Sequence, residues 1–311
     1  MNKSVLFCEN QLGYRGTSVA LFDYAVGNED ILGNKSFIAA PINGELTSLE
    51  KFQEYFRERL FLYEDFNDLQ AFVDDEKIDV VYQIISGEDT SKKLLNTKNV
   101  YHAVFNVKNP EITAYVSSWL ADQHPGSKYC PHIVSLPDIK DNYREQLGIP
   151  IDAFVYGRLG GYDQFDLPYV SDVIKAVVEQ RPNTYFLFMN TAPLNFDHPN
   201  VWNIGATTDV ESKTGFINTC DVMIHSRSDG ESFGLSICEF LHQNKPVITN
   251  SDGRDKNHLR ILGPAGYYYE SANELYSILT NFQKKDFDYR SLVAEFSPAR
   301  VMKQFEQTFL L

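Results

Sequence analysis

The sequence predicts an α/β protein made of two Rossmann-like domains in series. Three observations carry that reading. Short apolar runs alternate with amphipathic stretches from one end of the chain to the other. The runs read as buried strands, and the alternation is that of parallel βαβ units. The pattern breaks once, near residue 148, and then restarts. A chain of 311 residues is long enough for two such domains of roughly 150 residues each.

In the first half, residues 4–9 read as a strand and 17–26 as the helix that follows. A second strand at 36–40 leads into a helical pattern over 49–59. Buried strands are predicted at 79–85 (DVVYQII) and 100–104 (VYHAV), with helical stretches at 69–75 and 114–123. The break runs from 132–138 (HIVSLPD) to Leu147-Gly148-Ile149-Pro150. Beyond it, strands are predicted at 153–159, 184–190, 201–204, 221–226 and 246–250. Helices fit between or after them at 170–180, 210–220, 233–243 and 272–282. Residues 297–311 form a closing helix, with Ser297 placed to cap it and Pro298 at its first position. The predicted domains are therefore 1–148 and 149–311.

Composition narrows the function. Net charge is −14, and both halves share the acidity: 14 basic against 22 acidic side chains in residues 1–149, and 14 against 20 in the rest. Neither half supplies the basic face that nucleic acid or anionic lipid demands, so neither partner is expected. Cys8, Cys130, Cys220 and Cys238 form no CxxC pair and match no zinc spacing, so no metal site is expected; Cys8, Cys220 and Cys238 lie beside or within apolar runs and read as buried thiols. The opening residues carry too short an apolar run for a signal peptide, and no run approaches the ~20 residues that cross a bilayer. These readings predict a soluble, cytoplasmic protein.

Two Rossmann-like domains facing each other would create one cleft, because ligands of such sheets bind beyond the carboxyl ends of the strands. The segment 221–250, DVMIHSRSDGESFGLSICEFLHQNKPVITN, carries the chemistry. An apolar strand runs into a polar turn holding His225, Arg227, Asp229, Gly230 and Glu231. A helix then begins around Phe233, Gly234 and Leu235. A helix start of this kind presents unpaired N–H groups and the positive end of a dipole, which suits an anion, and Gly234 lets a diphosphate approach the backbone. Glu231 in the loop and Glu239 about two turns into the helix can reach different parts of one elongated ligand. Paired carboxylates accept hydrogen bonds from sugar and ribose hydroxyls.

Glu231-Ser232-Phe233-Gly234-Leu235 through Glu239, with Asn244-Lys245-Pro246-Val247 after it, resembles the Glu–seven residues–Glu signature and strand entry of retaining GT-B glycosyltransferases of the large family 4. Ser117-Ser118-Trp119-Leu120 and Leu147-Gly148-Ile149-Pro150 are similar to further passages of that family. The resemblance runs nearly the full length and is sharp in the C-terminal half. It implies a GT-B architecture with a donor-binding C-terminal domain and an acceptor-binding N-terminal one. By the resemblance, Glu239 would bind the nucleotide ribose and Glu231 the donor sugar hydroxyls. The backbone at Phe233, Gly234 and Leu235 would hold the diphosphate.

Arg158 ends the first strand of the second domain, where the family has an arginine facing the diphosphate. The lysine that follows it in the family is replaced here: Asp163 stands in its place, and an acid there would repel a diphosphate. Arg227, Arg254 and Lys256 are candidate substitutes. His102, at the end of a first-domain strand, resembles a cleft histidine near the reacting sugar, and His225 suits a cleft or a packing role. The loop holding Gly13, Arg15 and Gly16 allows a tight turn before a helix. In the family a comparable loop lies under the donor phosphates or the acceptor. Asp286 and Asp288 form a DxD string far from these strands and read as a surface loop, so no metal is expected.

The implied reaction moves a sugar from a nucleoside diphosphate to a hydroxyl of a glycan, lipid-linked or small-molecule acceptor, with retention. Two rivals share the architecture: a non-catalytic nucleotide-sugar or glycan-binding protein, and a nucleotide-sugar epimerase. A dehydrogenase is disfavoured because the first-domain loop lacks GxGxxG.

Overall fold

The computed structural model describes residues 2–311 and divides into two compact units. The first comprises residues up to Ile133 together with Glu295–Leu311, and the second Val134–Ala294.

In the first unit the order is β1 (Ser4–Cys8), α1 (Gly16–Asp30), β2 (Lys35–Pro41), α2 (Leu49–Phe56), β3 (Leu60–Tyr63), α3 (Leu69–Asp75), β4 (Val80–Ile85), β5 (Lys98–Ala103), β6 (Ala114–Tyr115), α4 (Ser118–Asp122) and β7 (Lys128–Tyr129). These strands form one parallel sheet in the order β3-β2-β1-β4-β5-β6-β7. Val5, Leu6, Phe7, Val80, Val81 and Tyr82 are all fully buried, as strands covered on both faces must be. Two local readings change. The helix expected over 114–123 is a two-residue strand followed by a short helix, which Ser117 caps by accepting from the Leu120 N–H at 3.2 Å. The strand β3 lies just beyond the helix predicted over 49–59, where the sequence reading assigns no element.

The second unit runs β8 (Phe154–Leu159), α5 (Val170–Gln180), β9 (Thr184–Met189), β10 (Val201–Ile204), α6 (Val210–Thr219), β11 (Val222–His225), β12 (Gly230–Glu231), α7 (Leu235–His242), β13 (Val247–Asn250), β14 (Asp255–Lys256), α8 (Asn257–Leu262), β15 (Tyr267–Tyr269) and α9 (Ala272–Thr280). A six-stranded parallel sheet has the order β10-β9-β8-β11-β13-β15, and β12 pairs separately with β14. Val173, Ile174 and Val177 of α5 and Leu275 and Leu279 of α9 pack with Tyr156, Phe186, Phe188 and Ile224 on one face of this sheet. Because every strand is parallel, the carboxyl ends of β8, β11 and β13 share one edge. The order reverses between β8 and β11, a topological switch point.

The division falls at the start of the break in the sequence pattern, ahead of the boundary predicted near residue 148, and the reason is local bonding. Arg144 pairs with Asp221 at 2.8 Å, and Tyr143 donates through its hydroxyl to Ser212 O and through its N–H to Thr219 Oγ1, both at 2.7 Å. The segment 134–148 is thereby part of the second unit. The last helix, α10 (Pro298–Phe305), returns to the first. Ser297 occupies its N-cap position without a side-chain hydrogen bond, and Pro298 stands in its first turn. Gly27 of α1 admits α10 closely, since a Cβ there would lie 2.7 Å from Met302 Cγ. Phe305 packs its ring 5.1 Å from those of Tyr24 and Tyr82. Among the described residues, no helix is long and apolar enough to cross a membrane.

The turn after α10 sets the surroundings of His102, which the resemblance places near the reacting sugar. His102 is wholly buried, its ring 5.1 Å from that of Phe309 and its Nδ1 2.6 Å from the Tyr82 hydroxyl. It is a core residue and lines no open edge. Burial pushes its pKa down to about 4, against the carbonyls of Tyr115 and Cys130, which act the other way. Below pH 6.5 the unfolded chain therefore gains a proton that the folded chain refuses. The stabilisation is complete above pH 6.5 and is lost as pH falls towards 4. Urea unfolding of wild type and His102→Gln is expected to show it. The variant, which cannot titrate here, should escape a loss on the order of 3 kcal/mol between pH 6.5 and 4. Parallel pH profiles for the two proteins would refute the assignment.

Candidate functional site

The carboxyl edge of the second sheet gathers most of the residues singled out in the second domain. β11 ends at His225, and the chain then folds back to pair β12 with β14. Gly230, at φ 74°, permits this: a Cβ there would fall 2.0 Å from Asp255 O. Glu231 is thereby turned towards the end of β11. Its Oε1 lies 3.1 Å from His225 Nε2, and its Oε2 accepts from Arg227 Nη1 at 3.1 Å. His225 Nδ1 faces the Thr249 hydroxyl at 2.8 Å. Since a carboxylate only accepts, Nε2 is the nitrogen that carries the proton towards Glu231.

Burial alone would raise the Glu231 pKa. The His225 hydrogen bond and charge, followed by the Arg227 charge and, in acid where its ring is protonated, that of His258, outweigh it and hold the group at about 2. Glu231 is an anion throughout the physiological range. His258, on α8, stands behind it: its ring is 5.3 Å from that of His225 and its Nε2 is 3.3 Å from Asn250 O. Burial, aided by the neighbouring His225, lowers its pKa to about 4, so it remains neutral.

Gly234 opens α7 in the left-handed region, at φ 91°, and no side chain caps the helix there. A Cβ on Gly234 would come 3.3 Å from Glu231 Cβ, so glycine lets the carboxylate and the helix start share this corner. Phe233 is buried, and its carbonyl accepts from Asn257 Nδ2 at 2.9 Å, which ties α8 to the turn. Leu235 begins the helix. Glu239 is buried further along α7, where its Oε1 meets Lys213 Nζ from α6.

Arg158 stands where the sequence places it and is held by the protein's own loops. It is buried at the end of β8, donating to Asn190 O at 3.1 Å, Thr191 Oγ1 at 2.6 Å and Gly161 O at 2.9 Å. Its guanidinium clamps the loops after β8 and β9 together. Burial lowers its pKa to about 10, with Glu231 acting to raise it, so it stays charged and adds to the field at Glu231. Asp163 is exposed. Arg254 is bound to Asp255 at 2.8 Å and to Asp229 at 3.5 Å, while Lys256 projects from β14 as an exposed side chain. Gly13, Arg15 and Gly16 belong to the first unit. Gly13 N–H donates to Ser18 Oγ at 3.0 Å, Arg15 is the N-cap of α1 and Gly16 its first residue.

Sequence reasoning missed Lys213, Thr249 and His258 as site residues. Thr249 stood inside the quoted strand entry. Lys213 and His258 are single polar residues on short helices, and no spacing marked them.

No protein-family model matches the chain, and no curated protein matches it in sequence. Solved structures do match in three dimensions. A glycosyltransferase from Rickettsia africae aligns at a TM-score of 0.70 and 14% identity, over 99% of this chain and 98% of that one. Anabaena HepE, solved in complex with UDP-glucose, aligns at 0.66 and 15% over 98% and 95%. AviGT4, a glycosyltransferase of avilamycin A biosynthesis, aligns at 0.64 and 14% over 99% and 97%. The likeness covers whole chains and is one of fold: the chain has the GT-B fold, as the resemblance implied.

The buried pair Lys213–Glu239 yields a direct check. Removing one partner strands the other charge away from water, which costs about 3–5 kcal/mol, whereas removing both costs far less. Lys213→Met is expected to lower stability by about 3 kcal/mol, and adding Glu239→Gln should restore most of it. A double-mutant cycle in urea reads the coupling. Additive losses would show that the two side chains do not meet in solution.

Proposed function

We propose that the chain transfers a sugar from a nucleoside-diphosphate sugar to an acceptor hydroxyl, with the donor held by the second unit. The observation that carries this reading is the Glu231 corner. A permanently ionised carboxylate is held by His225 and Arg227 directly beside an uncapped helix start opened by Gly234. Such a corner offers two kinds of contact within one ligand's length: an acceptor for sugar hydroxyls, and N–H groups with a positive dipole for phosphate oxygens. The likeness to glycosyltransferase structures, one of them holding UDP-glucose, supports the same assignment.

In the proposed mechanism Glu231 accepts hydrogen bonds from the donor sugar and orients it. His225 and Arg227 keep that carboxylate charged and in place. The diphosphate, as it takes up charge on leaving, is stabilised by the start of α7, by Arg227 and by the nearby positive charge of Arg158. Glu239 takes the ribose hydroxyls, with Lys213 neutralising it until they arrive. The acceptor hydroxyl attacks from the leaving-group side and passes its proton to the departing phosphate oxygen as the bond from the sugar to that oxygen breaks, so configuration is retained, and the chemistry calls on no metal. The acceptor is a glycan, a lipid-linked sugar or a small molecule, and hexosyl transfer is the expected class.

Thermal unfolding in the presence of UDP-, GDP- and ADP-sugars tests the donor. A nucleotide sugar at one hundred times its dissociation constant stabilises by about 2.7 kcal/mol. One donor should shift the melting temperature of the wild type, and the shift should vanish in Glu239→Ala. With that donor, Glu231→Gln is expected to lower kcat by roughly 10²–10³ while nucleotide binding persists. Binding without product under any acceptor, in a protein that still recognises the donor, would defeat the transferase reading. Donor conversion in the absence of acceptor would indicate an epimerase.

A further inference from the structure

Arg227 stands between two residues that are both bound to a third. β8 and β11 are neighbours in the second sheet, and the loops that leave their carboxyl ends meet at Asp166. The Asp166 N–H donates to Ser226 O at 3.1 Å. Its carboxylate accepts twice from Ser228, Oδ1 from the N–H and Oδ2 from the hydroxyl, each at 2.7 Å. Asp166 is itself anchored. Phe165 and Leu167, on either side of it, pack against the apolar core of the sheet, and Arg158 Cζ lies 5.7 Å from the centre of the Phe165 ring. The rest of the segment is fixed as well. Tyr269 donates to His225 O at 3.0 Å and accepts from the Ser226 hydroxyl at 2.5 Å, while Gly230 N–H closes a turn on Arg227 O at 3.1 Å. The main chain of Arg227 is therefore held from both sides, and its guanidinium reaches Glu231 Oε2.

We propose that Asp166 is a positioning residue for the donor diphosphate: by binding Ser226 and Ser228 it fixes Arg227 beside Glu231. This rests on the donor-binding reading and adds to it a residue that acts through Arg227. Two effects of the side chain oppose each other. Asp166 is exposed, and its charge is felt as far as Arg158. Through space that charge repels a diphosphate. Its two oxygens, however, take the N–H and the hydroxyl of one serine at once, which sets the main chain on the far side of Arg227. A cation misplaced by about 1 Å loses much of its worth to a ligand, so the hydrogen bonds outweigh the repulsion. Substitution separates the two effects. Asp166→Asn keeps both contacts, its carbonyl oxygen accepting from the Ser228 N–H and its amide donating to the hydroxyl, and removes the charge. Asp166→Ala removes charge and contacts together. Repulsion alone predicts that both variants bind a diphosphate more tightly than wild type, whereas positioning predicts that the alanine variant binds it more weakly.

The test is calorimetry of the full chain with UDP, GDP and ADP at one fixed ionic strength. For the diphosphate that wild type binds, Asp166→Ala is expected to weaken binding roughly tenfold, and Asp166→Asn to bind at least as tightly as wild type. In an Arg227→Gln background the alanine substitution should cause no further loss, because the residue it acts through is gone. A general loosening of the loop would weaken binding in that background too. An Asp166→Ala protein that binds as well as wild type, an equal loss in Asp166→Asn, or an undiminished loss in the Arg227→Gln background would each overturn the proposal. Should Asp166→Ala not fold, Ser228→Ala, which takes away the hydroxyl contact alone, replaces it in the same cycle with an expected loss of about threefold. Silence of the wild type towards all three diphosphates removes the donor reading itself, and the role of Asp166 with it. Binding by wild type together with any of the three contrary outcomes removes Asp166 only.

Discussion

A carboxylate sunk into the carboxyl edge of a parallel sheet must be met by positive charge, and the second unit is arranged to meet it at Glu231. Desolvation alone would neutralise the group. His225 supplies a proton-bearing nitrogen from the end of β11, and Arg227 a guanidinium from the loop. Arg158 adds its charge from the end of β8. The supporting parts follow from that need. Thr249 of β13 fixes the other nitrogen of His225. Gly230 turns the chain tightly enough to bring Glu231 back, and Gly234 lets a helix start beside it without a clash. A larger side chain at either glycine would strain the left-handed backbone and crowd its neighbours.

The arginine clamp shows how charge and architecture are coupled. Arg158 gives its hydrogen bonds to the carbonyls of Gly161 and Asn190 and to the hydroxyl of Thr191, so two loops are tied through one side chain. It acts on the corner through its field, at a distance.

Much of this was legible in the sequence, and the gaps have physical causes. Apolar or largely apolar runs such as 222–224 and 80–85 mark strands covered on both faces, so the two-sheet α/β class was readable. Glu231, Gly234 and Glu239 were readable because they lie within one turn and one helix, where spacing in sequence is spacing in space. Lys213 was not, since it reaches Glu239 from another helix and only the packing of α6 on α7 brings them together. His102 misled for the converse reason. A histidine at a strand end looks the same whether the strand opens on a cleft or is covered, and here Phe309, far along the chain, covers it. The unit boundary was displaced likewise by long-range bonds, chiefly that of Arg144 with Asp221. The strand at Ala114–Tyr115 is too short to show alternation, so propensity favoured the helix beside it.

Three glutamates at sheet or helix ends show what the fold does with one chemical group. Glu231 is buried among cations and stays ionised down to about pH 2. Glu239 is buried against one lysine, whose charge must be released or shared before the carboxylate can serve another partner. Glu9 is buried beside hydroxyls, with one arginine countered by a second acid, and titrates at about pH 7. The side chain is identical in all three, so the difference in charge state comes from the elements each environment recruits. A group held permanently charged suits a steady electrostatic role, since its field does not depend on the moment of binding. One poised near neutrality has the opposite property: small changes in its hydrogen-bonding partners change its charge. The two kinds of carboxyl lie in different units and are built by different loops, so each takes its charge state from its own neighbours.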